Sequence, residues 1–232
     1  TEQYEIRKII DKNDYLEEEN LVDDAKDLKY VLISDAAGSG KSRFLVKISD
    51  YLRTKFPYSW VYKVDLNQFI GAFKTISETV NFLDFFKTFI MKDSKDYEKL
   101  LFEYFFNHHK IFILFDGFDE ISPKCKGEVL KLMKSFSGYH GSQLWITTRL
   151  HLEINLKKEL NSNVIYSLTS LTKEEQINFF VQYWTAQNIT TDLQEIASRI
   201  VDRLSSITKV NNSNPIGLPQ LLIIFAENSI NL

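Results

Sequence analysis

A glycine-rich segment at residues 35–42, DAAGSGKS, constrains the fold of this chain more than any other part of its sequence. The apolar run 29–34 (KYVLIS) precedes it and has the composition of a buried parallel strand. Apolar residues at helical spacing follow it over residues 41–55 and stop before Pro57. A strand, a glycine-rich turn and a helix in this order form the context that a phosphate-binding loop requires.

The residue types of this loop indicate how it would bind a nucleotide. Small residues let backbone N–H groups turn toward phosphate oxygens, and the positive end of the following helix adds to the attraction. We expect Lys41 to reach the β- and γ-phosphates and the hydroxyl of Ser42 to bind Mg²⁺. The residues predicted to contact the nucleotide in this loop are Ala37, Gly38, Ser39, Gly40, Lys41, Ser42 and Arg43.

One position departs from the G-x-x-x-x-G-K-S/T pattern of such loops, because Asp35 stands where the pattern has its first glycine. An acid beside the phosphates repels them unless it points away or caps a backbone group. Gly38 is expected to supply the flexibility of the missing glycine. A Gly-Lys-Ser sequence in an unrelated loop is the alternative interpretation.

A second group of candidate residues follows the apolar run 110–115 (KIFILF). Ligands of open α/β sheets lie outside the carboxyl ends of the strands, so acids at this position can face a bound nucleotide. Asp116 is the predicted Mg²⁺ ligand, directly or through water. Glu120 is predicted to orient or deprotonate the attacking water, and Asp119 could assist either task. A surface turn with three exposed acids is the structural alternative.

Arg149 is the third candidate, because it directly follows the strand pattern 143–147 (QLWIT) and Thr148. A guanidinium group is always charged and suits bidentate contact with phosphate. We expect it to contact the γ-phosphate and to report its presence. An ordinary arginine at the start of a helix is the alternative. The predicted catalytic residues are therefore Lys41, Asp119, Glu120 and Arg149.

Sequence patterns alternate between strands and helices up to about residue 169, and only helices follow. Strands are predicted at residues 29–34, 59–66, 110–115, 143–147 and 164–168. Helices are predicted at residues 41–55, 79–91, 96–107, 127–136, 152–160, 172–184, 193–207 and 218–227. Thr172 and Glu175 can form a capping box at the start of one of these helices.

Three stretches together resemble the NACHT family of signal-transducing NTPases, within the STAND class of P-loop ATPases. They are residues 36–42 (AAGSGKS), 112–121 (FILFDGFDEI) and 144–149 (LWITTR). Residues 166–176 (YSLTSLTKEEQ) are similar to the start of the family's helical domain. The resemblance covers about residues 29–230, and it implies the same roles for Lys41, Ser42, Asp116, Glu120 and Arg149.

The resemblance implies a P-loop NTPase fold, an α/β three-layer sandwich with a mainly parallel five-stranded sheet, followed by a small helical domain. It places the strand before Arg149 between the strand before the loop and the strand before Asp116. The expected units are a helical N-terminal segment at residues 1–28, a nucleotide-binding domain at 29–169 and a helical lid at 170–232.

A proline near the C-terminus extends the resemblance. Residues 217–219 (GLP) resemble the Gly-x-Pro element of the related NB-ARC domains, in which the proline packs on adenine. We prefer Pro219 for this contact, and Pro215 is a competing match. Both prolines could instead only start a helix.

Composition narrows the possible partners. The formal net charge of −3 indicates no basic surface for nucleic acid, and no apolar run approaches the roughly 20 residues that span a bilayer. The single cysteine, Cys125, excludes an intramolecular disulfide.

Residues 1–30 are acidic, which is typical of a solvated helical face or linker, with an acidic docking segment as the alternative. Because the chain begins with Thr1, we expect a fragment of a longer cytoplasmic protein.

The resemblance implies a molecular switch that binds ATP or ADP with Mg²⁺. In this hypothesis the nucleotide sets the orientation of the lid, the ATP state allows homo-oligomerisation, and slow hydrolysis resets a signalling receptor of innate-immune type. The base is expected to be adenine, since the Asn-Lys-x-Asp element of guanine-specific proteins is missing from the sequence. Two alternatives are a turnover enzyme, such as a P-loop kinase or motor ATPase, and a scaffold that has lost hydrolysis. Asp35 alone supports the scaffold.

Overall fold

The computed structural model of the chain describes residues 9–11, 14–16, 18–76, 81–108, 110–121, 123–136, 142–162, 164–189, 192–208 and 219–229. In this part of the chain the strands are β1 (Ile9–Asp11), β2 (Asp14–Leu16), β3 (Tyr30–Ser34), β4 (Trp60–Asp65), β5 (Ile111–Asp116), β6 (Gln143–Thr148) and β7 (Ile165–Leu168). The helices are α1 (Glu18–Asp24), α2 (Lys41–Lys55), α3 (Ile70–Phe73), α4 (Phe82–Phe85), α5 (Asp96–Asn107), α6 (Pro123–Ser135), α7 (Leu150–Leu160), α8 (Lys173–Ala186), α9 (Leu193–Thr208) and α10 (Pro219–Ser229).

The strands form one sheet in the order β2-β1-β7-β3-β6-β5-β4. Strands β7, β3, β6, β5 and β4 run parallel to their neighbours, whereas β1 is antiparallel to both β7 and β2. The predicted α/β fold with five parallel strands is therefore confirmed. The predicted strand order is confirmed as well, because β6 lies between β3 and β5.

Helices cover both faces of the parallel strands. Every residue of β3, β5 and β6 is buried, which explains why their sequences are nearly continuous apolar runs. Leu32 and Ile113 face a cluster that includes the aromatic side chains of α4 and α5. Leu114 and Trp145 face the opposite side, where α1 and α2 pack. The sheet is thus the middle layer of a three-layer sandwich.

Helix α2 has the bounds that the sequence predicts. Its apolar stripe packs on the sheet through the buried side chains of Phe44, Leu45, Ile48 and Leu52. Full burial of such a side chain stabilises a fold by about 1.5–3 kcal/mol. This packing holds the N-terminus of α2 beside the carboxyl end of β3.

The N-terminal segment differs from the prediction of helix throughout residues 1–28. Its described part contains the antiparallel strands β1 and β2, and helix is confined to α1. Strand β1 pairs with β7 through Ile9–Leu168 and Ile10–Ser167, so it covers an edge of the parallel sheet. Strands of three residues are too short to show a period-two pattern, and their pairing depends on that edge. The boundaries of the three predicted units remain predictions.

The chain between β4 and α5 also departs from the sequence patterns. A 3-10 turn at Leu66–Phe69 and helix α3 follow β4, and neither is predicted. The predicted helix at residues 79–91 is a short α4 that continues as a π-helical turn at Phe86–Ile90. Residues 79 and 80 lie outside the described part of the chain. Stacked phenylalanines fill this region, including Phe86 on Phe102 and Phe82 on Phe106.

Helices α8, α9 and α10 share a hydrophobic cluster around Phe180, Trp184, Val201 and Leu222. The predicted capping box is present at the start of α8, where Thr172 and Glu175 each accept a hydrogen bond from the other's backbone N–H. Trp184 Nε1 donates to the carbonyl of Ala226 at 3.1 Å and joins α8 to α10. Within the described residues, each helix is too short or too polar to cross a membrane.

Gln143 ties the N-terminal helix to the sheet. Its Nε2 donates to the carbonyls of Ala25 at 2.6 Å and Leu28 at 2.9 Å, just after α1. Its Oε1 accepts a hydrogen bond from Trp145 Nε1 at 3.3 Å. One amide that is only 4% exposed therefore satisfies two buried groups and one partly buried group.

Substitution Gln143→Ala should lower the free energy of unfolding by about 1–3 kcal/mol, because it leaves these buried partners unsatisfied. Urea unfolding followed by tryptophan fluorescence measures this change. The exposed Gln194→Ala on α9 is the control and should stay within about 0.5 kcal/mol. Equal stability of the two variants would contradict the assigned role of Gln143.

Candidate functional site

The loop between β3 and α2 has the backbone of an anion-binding turn. Gly38 with φ 74° and Gly40 with φ 91° both adopt the left-handed conformation that favours glycine. Gly40 is the N-cap of α2, and no side chain caps the helix there. The N–H groups of the first helical turn therefore point out of the helix end toward the position of a phosphate.

Asp35 is bonded to the backbone at the start of this loop. Its Oδ1 accepts a hydrogen bond from the N–H of Ala36 at 2.6 Å. Its own N–H donates to the carbonyl of Thr148 at 3.3 Å, which joins the loop to the end of β6. The side chain thus caps a backbone group, which is one of the two placements that an acid beside phosphates requires.

The ammonium group of Lys41 lies over the same loop. Its Nζ donates to the carbonyls of Asp35 at 2.9 Å and Ala36 at 2.6 Å, and it lies 3.4 Å from Ser39 Oγ. These contacts hold the lysine at the centre of the loop. They are weaker partners for an ammonium group than phosphate oxygens, which carry full negative charge.

The pKa of Lys41 shows which charged groups surround it. Burial is the largest effect and lowers this pKa, because the charged form loses hydration. The carboxylates of Asp35, Asp119 and Asp116 raise this pKa. The guanidinium group of Arg149 lowers it. The three stretches that the sequence singles out therefore come together around the loop.

Asp116 is the last residue of β5, and each of its carboxylate oxygens has a partner. Its Oδ1 accepts a hydrogen bond from Thr147 Oγ1 at 2.8 Å, and its Oδ2 lies 3.1 Å from Lys63 Nζ. The Thr147 hydroxyl also accepts a hydrogen bond from the N–H of Gly117 at 2.9 Å. Strands β4 and β6 thus orient the predicted metal-site acid from either side of β5.

Asp119 and Arg149 form an ion pair. Arg149 Nε lies 2.7 Å from Asp119 Oδ2, and the Asp119 side chain is 4% exposed whereas that of Arg149 is 46% exposed. A buried carboxylate needs such a partner. Asp119 therefore positions the predicted sensor arginine in this structure.

Glu120 is bonded to a residue of the neighbouring strand end. Its Oε2 accepts a hydrogen bond from Asn67 Nδ2. Asn67 is itself fixed, because its N–H donates to Asp65 Oδ1 at 3.0 Å. The predicted water-activating acid therefore contacts the carboxyl end of β4.

Sequence reasoning missed Lys63, Asn67 and Thr147. A signal for Lys63 exists in β4 (WVYKVD), where it shares a face with Val61. Which acid it meets depends on the pairing of β4 with β5, which puts Asp65 opposite Asp116. The spacing along the chain alone cannot give that register.

The other predicted residues lie at the margins of this site. Ser42 and Arg43 are exposed in the first turn of α2. Pro219 is the first residue of α10, which also suits the alternative that it starts a helix. Its side chain and Pro215 lie outside what the structure describes, so the adenine contact remains a prediction.

The residues present fit a bound Mg²⁺. The Ser42 hydroxyl and the Asp116 carboxylate are oxygen donors, which this ion prefers. It usually keeps several waters and takes further oxygens from substrate phosphates. Among the described residues no group of three acidic, histidine or cysteine side chains is placed to hold a metal ion.

The loop, the acids at the end of β5 and the parallel sheet define a P-loop NTPase module that binds nucleotide. The family model for the NACHT domain matches residues 29–187. The chain belongs to the NACHT domain family. No curated protein matches the sequence.

Two solved structures with TM-scores above 0.5 share the fold at low sequence identity. Domain III of the Thermotoga maritima replication initiation protein DnaA has a TM-score of 0.52 and 14% identity, over 88% of this chain and 87% of that chain. A DNA replication initiation factor has a TM-score of 0.54 and 13% identity, over 95% of this chain and 62% of that chain. C. elegans PCH-2 has a TM-score of 0.46 and 10% identity, over 88% of this chain and 62% of that chain.

Gly117, at the start of the acidic turn, offers a test of the site's backbone. Its φ of 80° is left-handed, and a Cβ there would lie 3.5 Å from Glu120 Oε2, an ordinary contact. The substitution Gly117→Ala should lower the free energy of unfolding by about 1–2 kcal/mol, from backbone strain alone. Chemical unfolding measures it.

The control for this substitution is Gly71→Ala in α3, where a Cβ meets nothing within 4 Å. It should leave stability unchanged or raise it by up to about 1 kcal/mol, since alanine favours helix. Equal shifts in both variants would show that the left-handed turn is not strained by a side chain.

Proposed function

We propose that this chain is an ATP-binding and slowly ATP-hydrolysing molecular switch. Its nucleotide state would control conformation and self-association in a cytoplasmic signalling receptor of innate-immune type. The observation that carries the proposal is the placement of Asp116 and Arg149 near Lys41, with Glu120 in the turn that follows Asp116. Such a switch requires a phosphate-binding lysine, a metal-site acid, a water-orienting acid and a phosphate sensor.

Nucleotide binding would begin at the N-terminus of α2. The left-handed glycines leave the backbone N–H groups of the loop directed at the phosphates. Lys41 would exchange the carbonyls of Asp35 and Ala36 for the β- and γ-phosphate oxygens. When bound through Ser42 and Asp116, Mg²⁺ would neutralise phosphate charge.

Hydrolysis would depend on Glu120, which would orient or deprotonate a water molecule. Its hydrogen bond to Asn67 holds the carboxylate at the end of β4. Glu120 would have to release or share that bond to act as a base. This contact supports a slow intrinsic rate.

Switching would depend on Arg149, because its guanidinium group pairs with Asp119 and could also contact a γ-phosphate. It now pairs with Asp119 and remains nearly half exposed. A γ-phosphate would compete for it, whereas ADP lacks that group. Differential contact of this kind shifts an equilibrium between two conformations. The helices α8–α10 would be the responding lid.

The first test is Lys41→Ala. Loss of a charge-assisted phosphate contact of about 2–3 kcal/mol should weaken ADP binding by roughly 30- to 150-fold, as measured by isothermal titration calorimetry. The exposed Lys131→Ala on α6 is the matched control and should bind normally. Normal binding by the folded Lys41→Ala protein would refute the phosphate-loop assignment.

The second test separates binding from turnover. Glu120→Gln should retain ATP binding and lose about 100-fold or more of single-turnover hydrolysis, because the amide cannot act as a base. Glu128→Gln, at a partly buried position of α6, should retain both properties.

The rate of the unmodified chain distinguishes the remaining alternatives. A steady-state rate above about 1 per second without partners, which is typical of turnover enzymes, would contradict the switch. Tight ATP binding without any phosphate release, unchanged in Glu120→Gln, would favour a scaffold that has lost hydrolysis.

A further inference from the structure

Lys63 is a partly buried cation at the site, and no motif of the loop or the acidic turn accounts for it. It lies on β4, the last strand of the parallel sheet, and its side chain is 27% exposed. The pairing of β4 with β5 puts it on the face of the sheet that α2 covers. Its ammonium group reaches Asp116 Oδ2 at 3.1 Å.

This contact completes the bonding of the metal-site acid. One carboxylate oxygen of Asp116 accepts a hydrogen bond from Thr147, and the other faces Lys63. The Asp116 side chain is only 10% exposed, so its negative charge needs a cation within contact distance. Lys63 lies within contact distance of this carboxylate and supplies such a cation.

A divalent cation at the same carboxylate would meet the ammonium group at short range. Two cations that share one carboxylate repel each other, and a partly buried site screens this repulsion less than water does. Lys63 can withdraw, because its stem is flexible and β4 lies at an edge of the sheet. Its departure from Asp116 is therefore coupled to occupation of the metal site.

We propose that Lys63 is the resident counter-cation of Asp116 and competes with Mg²⁺ for it. This proposal rests on the proposed function, since it concerns the metal dependence of the same nucleotide site. It makes Lys63 a positioning residue that acts through Asp116. The protein would bind ADP almost as well without Mg²⁺ as with it, and removal of the lysine charge would create a strong metal requirement.

The test compares ADP affinity in excess Mg²⁺ with ADP affinity in EDTA, by titration of a fluorescent ADP analogue. The quantity of interest is the ratio of the dissociation constant in EDTA to that in Mg²⁺. Lys63→Met removes the charge and keeps the apolar stem, and it should raise this ratio about tenfold, or 1.4 kcal/mol. Lys63→Arg retains a cation and should keep the ratio within about threefold, as should the exposed Lys131→Met.

The outcomes separate this proposal from the one on which it rests. If the unmodified chain binds no ADP, both proposals fail. If it binds ADP and the ratio is unchanged in Lys63→Met, only the role of Lys63 is refuted. If Lys63→Met weakens binding equally in Mg²⁺ and in EDTA, Lys63 contacts the phosphates themselves, and the competition with Mg²⁺ is refuted as well.

Folding of the variants gives a further check that does not depend on catalysis. Lys63→Gln repeats the measurement if Lys63→Met is unstable. Addition of Mg²⁺ and ADP should raise the Tm of either neutral variant more than that of the unmodified chain, because the metal ion then neutralises Asp116. Failure of both variants to fold in Mg²⁺ and ADP would overturn the proposal.

Discussion

The packing of α2 on the sheet is the contact on which the rest of this structure depends. Phe44, Leu45, Ile48 and Leu52 are buried against strands whose own side chains are also buried. At about 1.5–3 kcal/mol for each side chain, this burial helps to offset the conformational entropy lost when the glycine-rich turn is ordered. The helix is thereby held with its unpaired N–H groups beside the carboxyl ends of the strands. A loop of the same sequence without that packing would have no fixed shape.

Each acid at these strand ends has its own hydrogen-bond or ion-pair partner. Asp116 is bonded by Lys63 and Thr147, Asp119 by Arg149, and Glu120 by Asn67. The partners come from two strands: Lys63 and Asn67 from β4 and the turn after it, and Thr147 and Arg149 from β6 and the residue after it. Phosphate groups would bring further negative charge into this arrangement, so their binding must be accompanied by an exchange of partners. In the proposed switch, this exchange would make the site respond to the charge of the nucleotide.

Much of the fold could be predicted because its signals are local. The bounds of α2 and α5, the capping box of Thr172 and Glu175, and the parallel strands before each motif follow from spacing and composition. The antiparallel strands β1 and β2 could not be predicted, since they form on the edge of β7, which is far away in sequence. The π-helical turn at Phe86–Ile90 likewise depends on stacking with Phe82 and Phe102.

The candidate site, like the fold, has features that the sequence predicts and features that it does not. The sequence by itself determined that a glycine-rich turn joins a strand to a helix, and that acids and an arginine follow two other strands. These are properties of neighbouring residues, governed by backbone conformation and side-chain type. Only the tertiary structure decided that Lys63, Thr147 and Asn67 hold those groups, and that Asp119 pairs with Arg149. The register between parallel strands is set by packing over the whole sheet, so no local pattern records it.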